Sequence, residues 1–433
     1  MTQSNGAHTN GAHANGTSNG AANGAANGAA NGATNSYKNG TNKCDHVDTL
    51  VDKVNQSVGT FQDGHTEKER LVALKAAQEL VRALHGPKDN VYHLVYSPTQ
   101  AMCVRMGIDL EIFSTLSKAS GPVSLQELAA VKNASPLITE RVLRVLAGIE
   151  YVAEHDVHVY SATRMTHQMT DRFSIAMVKF IYDFGMPTVA KIPEFLRKHE
   201  YKSIDGSTAG PWQYATNSEE SLWDWIAKSE ERLDITHSFM EGDRGSRPPW
   251  VEWFPVEEQL ISTFTGSHED VFLVDVAGGR GHDIRTFREK FPQARGRFVL
   301  EDLEHVIEQS VDGLQAEKIA FDLFKPQPVK GARVYYMKFI LHDWSDNDSL
   351  KILERIREAM TLGHSVLVIE EFILPEKDCP MLSAMWDWEM MVFLNSLERS
   401  EGHWRRLLDE AGFEGKFFYP PGDGQGIITA ELK

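Results

Sequence analysis

The stretch FILHDWSDNDSL, residues 339–350, places an imidazole, a carboxylate and an indole together at the end of an apolar run. His342 is the residue that can do chemistry here, because an imidazole titrates near neutral pH and can take a proton from a hydroxyl. The residues that follow have a structural explanation, since Ser345 and Asp348 are typical of a helix N-terminus. That explanation does not account for His342. The stretch therefore predicts either a strand-to-helix turn or a catalytic edge.

A second group of chemical residues is a glycine loop followed by two acidic residues. Gly278, Gly279 and Gly281 lie in VDVAGGRGHD, directly after an apolar run, where glycines let a ligand approach the backbone. The third glycine of a dinucleotide fingerprint is replaced by isoleucine, which disfavours a pyrophosphate ligand. Asp302 and Asp322 end the next two apolar runs and suit a ribose and an adenine amino group. The set predicts an adenosine ligand without phosphates, such as S-adenosylmethionine; the alternative is a tight turn with helix caps.

Alternating strands and helices must position these residues, and this pattern begins near residue 268. The strand-like segments are VFLVDV, RFVLED, KIAFDLF, RVYYMKFIL and SVLVIEEFIL, with GKFFYP and GIITAEL as a closing antiparallel pair. Such alternation predicts an α/β, Rossmann-like domain with a doubly wound, mostly parallel sheet, which binds ligands at the carboxyl ends of its strands. The chemical residues fall at these ends: Asp275, Asp302, Asp322, His342 and Glu370. Glu370 follows one helix and one strand after His342, so we expect the two side chains to meet.

The chain before residue 240 is mostly helical. SLQE, from Ser124 to Glu127, is a capping box, and YVAEHDVHVYSAT predicts a hairpin after three helices. This is the element order of a winged helix, and its few basic residues favour a dimerisation module over a DNA reader. The Asn-Gly-Ala units near the N-terminus have almost nothing to bury, which predicts disorder. We therefore expect a disordered tail at 1–45, a helical and winged-helix domain at 46–240 and a catalytic domain at 241–433.

The composition excludes several other classes of protein. A net charge of −17 over 433 residues argues against a nucleic-acid partner, since phosphate contacts need clustered Lys and Arg. The three cysteines lack ligand spacing, which argues against a disulfide framework or a structural zinc. The N-terminus has no signal-peptide core, and no apolar run reaches membrane-spanning length. We expect a cytoplasmic protein with no membrane partner and no metal.

Six segments occur in a fixed order along the chain: LVDVAGGRGHD, VLEDLEHVIE, FDLF, YMKFILHDWSD, VIEEFILPE and LERSEGHWRRLLDEAGF. Together they resemble the S-adenosylmethionine-dependent O-methyltransferases of the plant caffeic acid type and their fungal natural-product branch. The resemblance covers about residues 66–433. It implies a winged-helix dimerisation domain before a Rossmann-like methyltransferase domain, S-adenosylmethionine as cofactor, a small-molecule aromatic acceptor and a homodimer.

The resemblance also implies roles for individual residues. His342 matches the catalytic base, and Glu370 and Glu398 match the carboxylates that bracket it, with Asp343 as a further candidate. The residues expected at the cofactor are Asp275, Ala277, Gly278, Gly279, Gly281, Asp302, Leu303, Asp322, Leu323 and Lys338. Those expected at the acceptor are Phe339, Trp344, Phe239, Met240, Met390 and Met391. Ala277 departs from the plant pattern, which often has glycine there, and we expect little effect because alanine is small.

The leading functional hypothesis is methyl transfer to an aromatic hydroxyl of a secondary metabolite, with His342 as general base. A phenol has a pKa near 10, so a base must take its proton as the oxygen attacks. The first alternative is methylation of a nitrogen or an N-hydroxyl group of an alkaloid on the same scaffold. A winged-helix regulator with a nucleotide-binding fold is a further alternative, and the missing third glycine disfavours a dehydrogenase.

Overall fold

The computed structural model describes residues 40–202, 210–245, 248–420 and 425–433. The chain divides into two compact units, Met1–Gly86 and Pro87–Lys433. The first unit contains the helices α1 (Gly40–Gly64) and α2 (Glu67–Leu84). Most of the tail expected at 1–45 lies outside the described residues, and α1 begins within its last part.

The second unit opens with helices and a small antiparallel sheet. Its first elements are α3 (Pro87–Asp109), α4 (Ile112–Lys118), β1 (Val123–Ser124), α5 (Leu125–Val131), α6 (Pro136–Gly148), β2 (Val152–Asp156), β3 (Val159–Ala162) and α7 (Arg164–Gln168). Ser124 caps α5 by accepting a hydrogen bond from the Glu127 amide, and the sheet order is β1-β3-β2. The predicted capping box and hairpin are therefore confirmed, because a polar turn separates two strands that pair antiparallel.

A helical region rich in aromatic residues follows. It contains α8 (Arg172–Lys179), a π-helical turn (Phe180–Gly185), α9 (Met186–Val189), α10 (Ile192–Lys198), α11 (Pro211–Thr216), α12 (Leu222–Ala227), α13 (Glu230–Gly245), α14 (Trp250–Trp253) and a second π-helical turn (Glu257–Ile261). Stacked rings hold it together: the Phe180 and Phe239 centroids lie 4.7 Å apart. The boundary expected at 240/241 falls inside α13, and the division into these domains stays a prediction.

The remaining elements form a seven-stranded sheet with its helices. They are β4 (Val271–Val276), α15 (His282–Lys290), β5 (Arg297–Asp302), α16 (Glu304–Ile307), β6 (Glu317–Ala320), β7 (Val334–Lys338), α17 (Asp346–Arg357), β8 (Val366–Glu371), β9 (Ile373–Leu374), α18 (Met381–Leu394), β10 (Arg399–Ser400), α19 (Glu401–Glu410), β11 (Phe413–Phe418) and β12 (Gly426–Leu432). The order is β11-β12-β8-β7-β4-β5-β6, and β12 runs antiparallel to both of its neighbours. Strands β4 to β8 pair in parallel. The doubly wound, mostly parallel sheet is thus confirmed.

Burial explains why these segments form central strands. Every residue of β4, β7 and β8 is buried, as expected for parallel strands covered by helices on both faces. Two hydrophobic clusters occupy the two faces, one around Leu353 and Trp404 and the other around Trp250 and Phe287. Because β4, β7 and β8 pair in parallel, their carboxyl ends meet at one edge of the sheet. In the part of the chain described here, no helix is long and apolar enough to cross a bilayer.

Candidate active site

His342 lies just beyond the carboxyl end of β7, in a short 3-10 turn, Leu341–Asp343. Phe339 turns the chain out of the strand with φ of +53°, a conformation that non-glycine residues rarely adopt and that clusters at functional sites. The guanidinium of Arg399 is fully buried and donates hydrogen bonds to the carbonyls of Leu341 and Trp344, each at 2.8 Å. The turn that carries His342 is therefore fixed at both ends.

Three carboxylates surround the imidazole of His342. Nδ1 lies 2.8 Å from Oε1 of Glu398 and 3.8 Å from Oε2 of Glu371, and Nε2 lies 3.3 Å from Oδ1 of Asp343. The other oxygen of Glu371 accepts hydrogen bonds from the backbone amides of Ile340, Leu341 and His342, at 3.0 to 3.4 Å. Glu371 thus holds the backbone of the turn as well as facing the ring.

The carboxylates determine how the cluster titrates. Burial disfavours the charged imidazole, but the negative charges of Glu371, Glu398 and Asp343 outweigh it and raise the pKa of His342 to about 10. Burial raises the pKa of Glu371 to about 7 and that of Asp343 to about 6, although the His342 charge opposes both shifts. The three carboxylates thus favour the protonated form of the imidazole.

Glu370 does not bracket His342, and that prediction was wrong. Its Oε1 lies 3.2 Å from Nζ of Lys338, and its Oε2 accepts a hydrogen bond from the Tyr336 hydroxyl. Successive side chains of a strand point to opposite faces, so when Glu371 faces the imidazole, Glu370 faces the other side of β8. Lys338 also lies 3.4 Å from Asp283 in the first turn of α15. This buried ion cluster ties the start of α15 to β7 and β8.

Sequence reasoning missed two residues at the base, Glu371 and Asp387. Asp387 accepts a hydrogen bond from the backbone amide of Glu398 at 2.9 Å, and so helps to place that carboxylate. Glu370 and Glu371 are successive residues of β8, so their side chains point to opposite faces and only one of them can face the imidazole. Because both faces of β8 are buried, its sequence has no alternation of polar and apolar residues that would indicate which glutamate faces His342.

The glycine loop has the shape expected of a ligand cradle. A Cβ at Gly278 would lie 2.3 Å from the Asp275 carboxyl carbon, so the loop passes directly over the end of β4. Gly279 and Gly281 have φ of +62° and +82°, and the space beside Gly279 is open. Ala277 adopts φ of +56°, a conformation that glycine adopts more easily.

The acidic residues predicted at the cofactor lie next to this loop. Asp302 ends β5 and accepts hydrogen bonds from the amides of Gly279 and Leu303, at 2.8 and 2.7 Å, while burial raises its pKa. Asp322 follows β6 and accepts from the Phe324 amide at 3.0 Å. Asp322 and Leu303 are exposed, and Leu323 is half-buried. Open space beside Gly279 and these exposed groups at neighbouring strand ends suit the adenosine portion of S-adenosylmethionine.

A cavity of about 550 Å³ lies between α3, α8, the first π-helical turn, α13 and α18. Its wall includes Met177, Tyr182, Phe239, Met385, Trp386 and Glu389. Phe239 was predicted at the acceptor, but Met240, Met390 and Met391 are not among the lining residues that the structure describes. The residues of α18 that line the cavity recur at helical spacing, Leu382, Met385, Trp386 and Glu389. Met391 lies on the opposite side of the helix, and Met390 borders the row but is buried. Their contact with an acceptor stays a prediction.

The two aromatic residues predicted near His342 have different surroundings. The Phe339 ring stacks on the imidazole, with centroids 5.1 Å apart and an interplanar angle of 27°. Trp344 instead meets Phe324 edge to face at 4.8 Å, near the loop that follows β6. Trp344 therefore lies toward the predicted adenine side rather than in the described wall of the cavity.

The imidazole cluster also has the donor set of a cation site. Ligand atoms of His342, Glu371 and Glu398 lie within 4.8 Å of one another. One oxygen of each glutamate is already engaged, by backbone amides in Glu371 and by the imidazole in Glu398. The absence of a catalytic metal accordingly stays a prediction, which chelation can test.

Family models match the winged-helix segment and the segment that contains the seven-stranded sheet. Residues 92–171 match an O-methyltransferase dimerisation domain, and residues 251–414 match an O-methyltransferase domain. The first match covers the winged helix and the second covers the glycine loop, His342 and Glu398. The family model that covers the winged helix thus describes it as a dimerisation domain.

Individual relatives are fungal and similar over nearly their whole length. Methyltransferase cfoC of Aspergillus candidus is 32% identical over 372 residues, which is 86% of this chain and 92% of that protein. O-methyltransferase penC of Penicillium thymicola is 32% identical over 385 residues, or 88% of this chain and 96% of that protein. The solved structure of OxaC with S-adenosylhomocysteine and oxaline superposes with a TM-score of 0.80 at 27% identity, covering 90% of this chain and all of that one. The chain belongs to the S-adenosylmethionine-dependent O-methyltransferase family, among its fungal members.

Proposed function

We propose that this enzyme methylates a phenolic or other aromatic-linked hydroxyl of a small secondary metabolite, with His342 as the general base. The observation that carries the proposal is the position of the imidazole. It lies at the carboxyl edge of the sheet, oriented by Glu398 through a 2.8 Å contact at Nδ1. Fungal relatives named as O-methyltransferases support the class of reaction.

The two ring nitrogens have different tasks in this proposal. Glu398 holds the Nδ1 proton, so Nε2 is the atom that takes the proton of the acceptor hydroxyl. In the free enzyme Nε2 carries its own proton beside Asp343, at 3.3 Å. That proton must leave before catalysis, and a positive charge bound nearby lowers the imidazole pKa and promotes its loss.

The bound cofactor supplies a methyl group on a sulfonium, which is already a good leaving group. The chain's part is to hold it, and the glycine loop with Asp302 suits this task because its backbone closely approaches the ends of β4 and β5. Lys338, Asp283 and Glu370 lie beneath that loop as a buried ion cluster. We infer that they position the loop and do not touch the acceptor.

Replacing His342 with Gln tests the base directly. Glutamine keeps a hydrogen-bonding group near Glu398 but cannot take the proton, so kcat on phenols should fall by about 10²- to 10⁴-fold. The dissociation constant of S-adenosylmethionine, measured by calorimetry, should stay unchanged. An undiminished kcat would remove His342 from the mechanism.

Methylation at nitrogen or at an N-hydroxyl group is the second candidate, because the same cluster can deprotonate either acceptor. A panel of phenols and alkaloids with isotope-labelled cofactor separates the two, since fragmentation in mass spectrometry locates the methyl group. Products labelled only on nitrogen would contradict the phenol proposal.

We also propose that the enzyme works as a homodimer. The dimerisation-domain match and the exposed apolar side chains of α3 support this, since Val91, Leu94 and Val95 share one helix face and are each more than half exposed. Monomeric soluble proteins rarely leave such a contiguous apolar surface uncovered. Light scattering coupled to gel filtration should give twice the chain mass, and a monomer mass at micromolar concentration would refute the proposal.

A further inference from the structure

The cavity between α3, α8, α13 and α18 contains one ionisable acid in an apolar wall. Its volume of about 550 Å³ is in the range that holds a multi-ring organic molecule. Methionine and aromatic side chains dominate the wall, and the lining residues that the structure describes include no Lys, Arg or His. Glu389 of α18 is the charged side chain in this wall.

A row of aromatic rings connects this cavity with the imidazole. Trp386, in the cavity wall, lies 6.2 Å from Phe372 between ring centroids, and Phe372 lies 5.5 Å from Phe339. Phe339 stacks on His342 at 5.1 Å. Contacting rings therefore run from the cavity wall to His342 through the buried side chain of Phe372.

Glu389 has no partner in this apolar setting. Its Oε2 is buried and has no hydrogen-bond donor among the described residues. A Cβ at Gly185 would lie 3.5 Å from this oxygen and 2.9 Å from Phe393, so the glycine lets both side chains pack against the π-helical turn. Burial alone raises the pKa of Glu389 to about 7. A half-buried acid whose buried oxygen has no polar partner needs a reason, because its desolvation is unfavourable.

We propose that the acceptor is an aromatic molecule with a positively charged nitrogen, and that Glu389 pairs with this nitrogen while the hydroxyl reaches toward His342. The inference rests on the proposed function, because it assigns the cavity to the acceptor. Tyr182 and Trp386 strengthen it, since aromatic rings attract cations in addition to the carboxylate. A purely apolar acceptor would leave Glu389 desolvated without a partner.

The competing arrangement is a protonated Glu389 that donates a hydrogen bond to a neutral carbonyl. Two probes of nearly equal size separate the cases: N-methylquinolinium, which is cationic, and N-methyl-2-quinolone, which is a neutral carbonyl compound. Calorimetry at about pH 8 with saturating S-adenosylhomocysteine measures both dissociation constants. At that pH a carboxyl with a pKa of about 7 is mostly ionised.

The wild-type enzyme should bind the cation at least about tenfold more tightly than the quinolone, a ratio equivalent to about 1.4 kcal/mol. Glu389→Gln should lower cation affinity about tenfold and change quinolone affinity by less than about twofold, because the amide keeps hydrogen bonding without charge. The matched control is Glu410→Gln, an exposed acid of α19 outside the cavity, which should change neither constant.

Equal binding of the two probes by the wild type, or a preference for the quinolone, would overturn the inference without any variant. An unchanged cation affinity in Glu389→Gln, or an equal loss in the control, would overturn it too. Methylation assays on neutral phenols keep this result separate from the proposed function. Turnover of neutral phenols without cation preference would refute only the cationic acceptor, whereas cation binding without methylation of any hydroxyl would refute only the proposed reaction.

Discussion

Replacing Glu398 with Gln should lower the pKa of His342 substantially. The variant keeps the size of the side chain and removes one of the three charges that raise the imidazole pKa to about 10. At an effective dielectric constant of about 20, two unit charges 2.8 Å apart attract by about 6 kcal/mol, before the burial of both groups offsets part of it. Opposite charges in such contact typically shift a pKa by about 1 to 3 units, so we expect a value of about 7 to 9 in the variant.

The sign of the kinetic effect follows from the protonation state. Only the neutral imidazole can take the acceptor proton, so kcat should rise with pH, and its midpoint should move to lower pH in Glu398→Gln. The plateau should fall, because an imidazole of lower pKa is a weaker base and an amide oxygen holds the Nδ1 proton less strongly than a carboxylate does. Removing a charge thus shifts the profile to lower pH while reducing its maximum.

Nitrogen-15 NMR of labelled histidine measures the imidazole pKa without an acceptor, and the His342→Gln spectrum assigns the signal. Glu398→Asp is the matched control, since it keeps the charge and should leave the pKa closer to the wild-type value than Glu398→Gln does. A His342 pKa in Glu398→Gln equal to that of the wild type would show that the carboxylate does not control the imidazole.

Three further outcomes are expected. Lys338→Met removes the cation that contacts Glu370 and Asp283, so the free energy of unfolding in urea titration should fall by about 3 to 5 kcal/mol and cofactor binding should weaken. A free energy of unfolding equal to that of the wild type would refute the contribution of this ion cluster. Ala277→Gly should relieve the left-handed strain and raise stability by up to about 1 kcal/mol, and a destabilised variant would show that the strain is absent. Dialysis against EDTA should leave kcat unchanged, whereas activity lost and then restored by Mg²⁺ would identify the imidazole cluster as a metal site.

The sheet and the position of His342 at its carboxyl edge were predictable because they depend on local patterns. Alternating strand-like and helix-like segments are typical of a parallel sheet. His342 lies between an apolar run and the helix cap at Ser345. Ser345 accepts a hydrogen bond from the Asp348 amide, so the structural explanation of that stretch is confirmed, and the catalytic explanation stays a prediction. Glu398 was identified by its motif, and its contact with Nδ1 could not be read from its place in the chain.

The choice between Glu370 and Glu371 was not predictable from pattern. Alternation shows which residues share a face only when one face is polar, and here the strand residues that precede the two glutamates are apolar on both faces. Helix α18 raised the same difficulty, since MLSAMWDWEMMVFL is apolar nearly all round. The face that lines the cavity is set by tertiary packing against Phe239 and the π-helical turn, which no local rule supplies.

In the proposed mechanism, helix α18 links the binding of the acceptor to the positioning of the base. Trp386 and Glu389 belong to the cavity wall, while the intervening Asp387 anchors the amide of Glu398. A rotation of α18 that accommodates an acceptor of different shape would also move the Glu398 carboxylate, which orients the His342 imidazole. Substitutions that broaden the range of acceptors by shifting α18 should therefore slow the chemical step. Substitutions on α3 or α8 can change the shape of the same cavity without disturbing proton transfer.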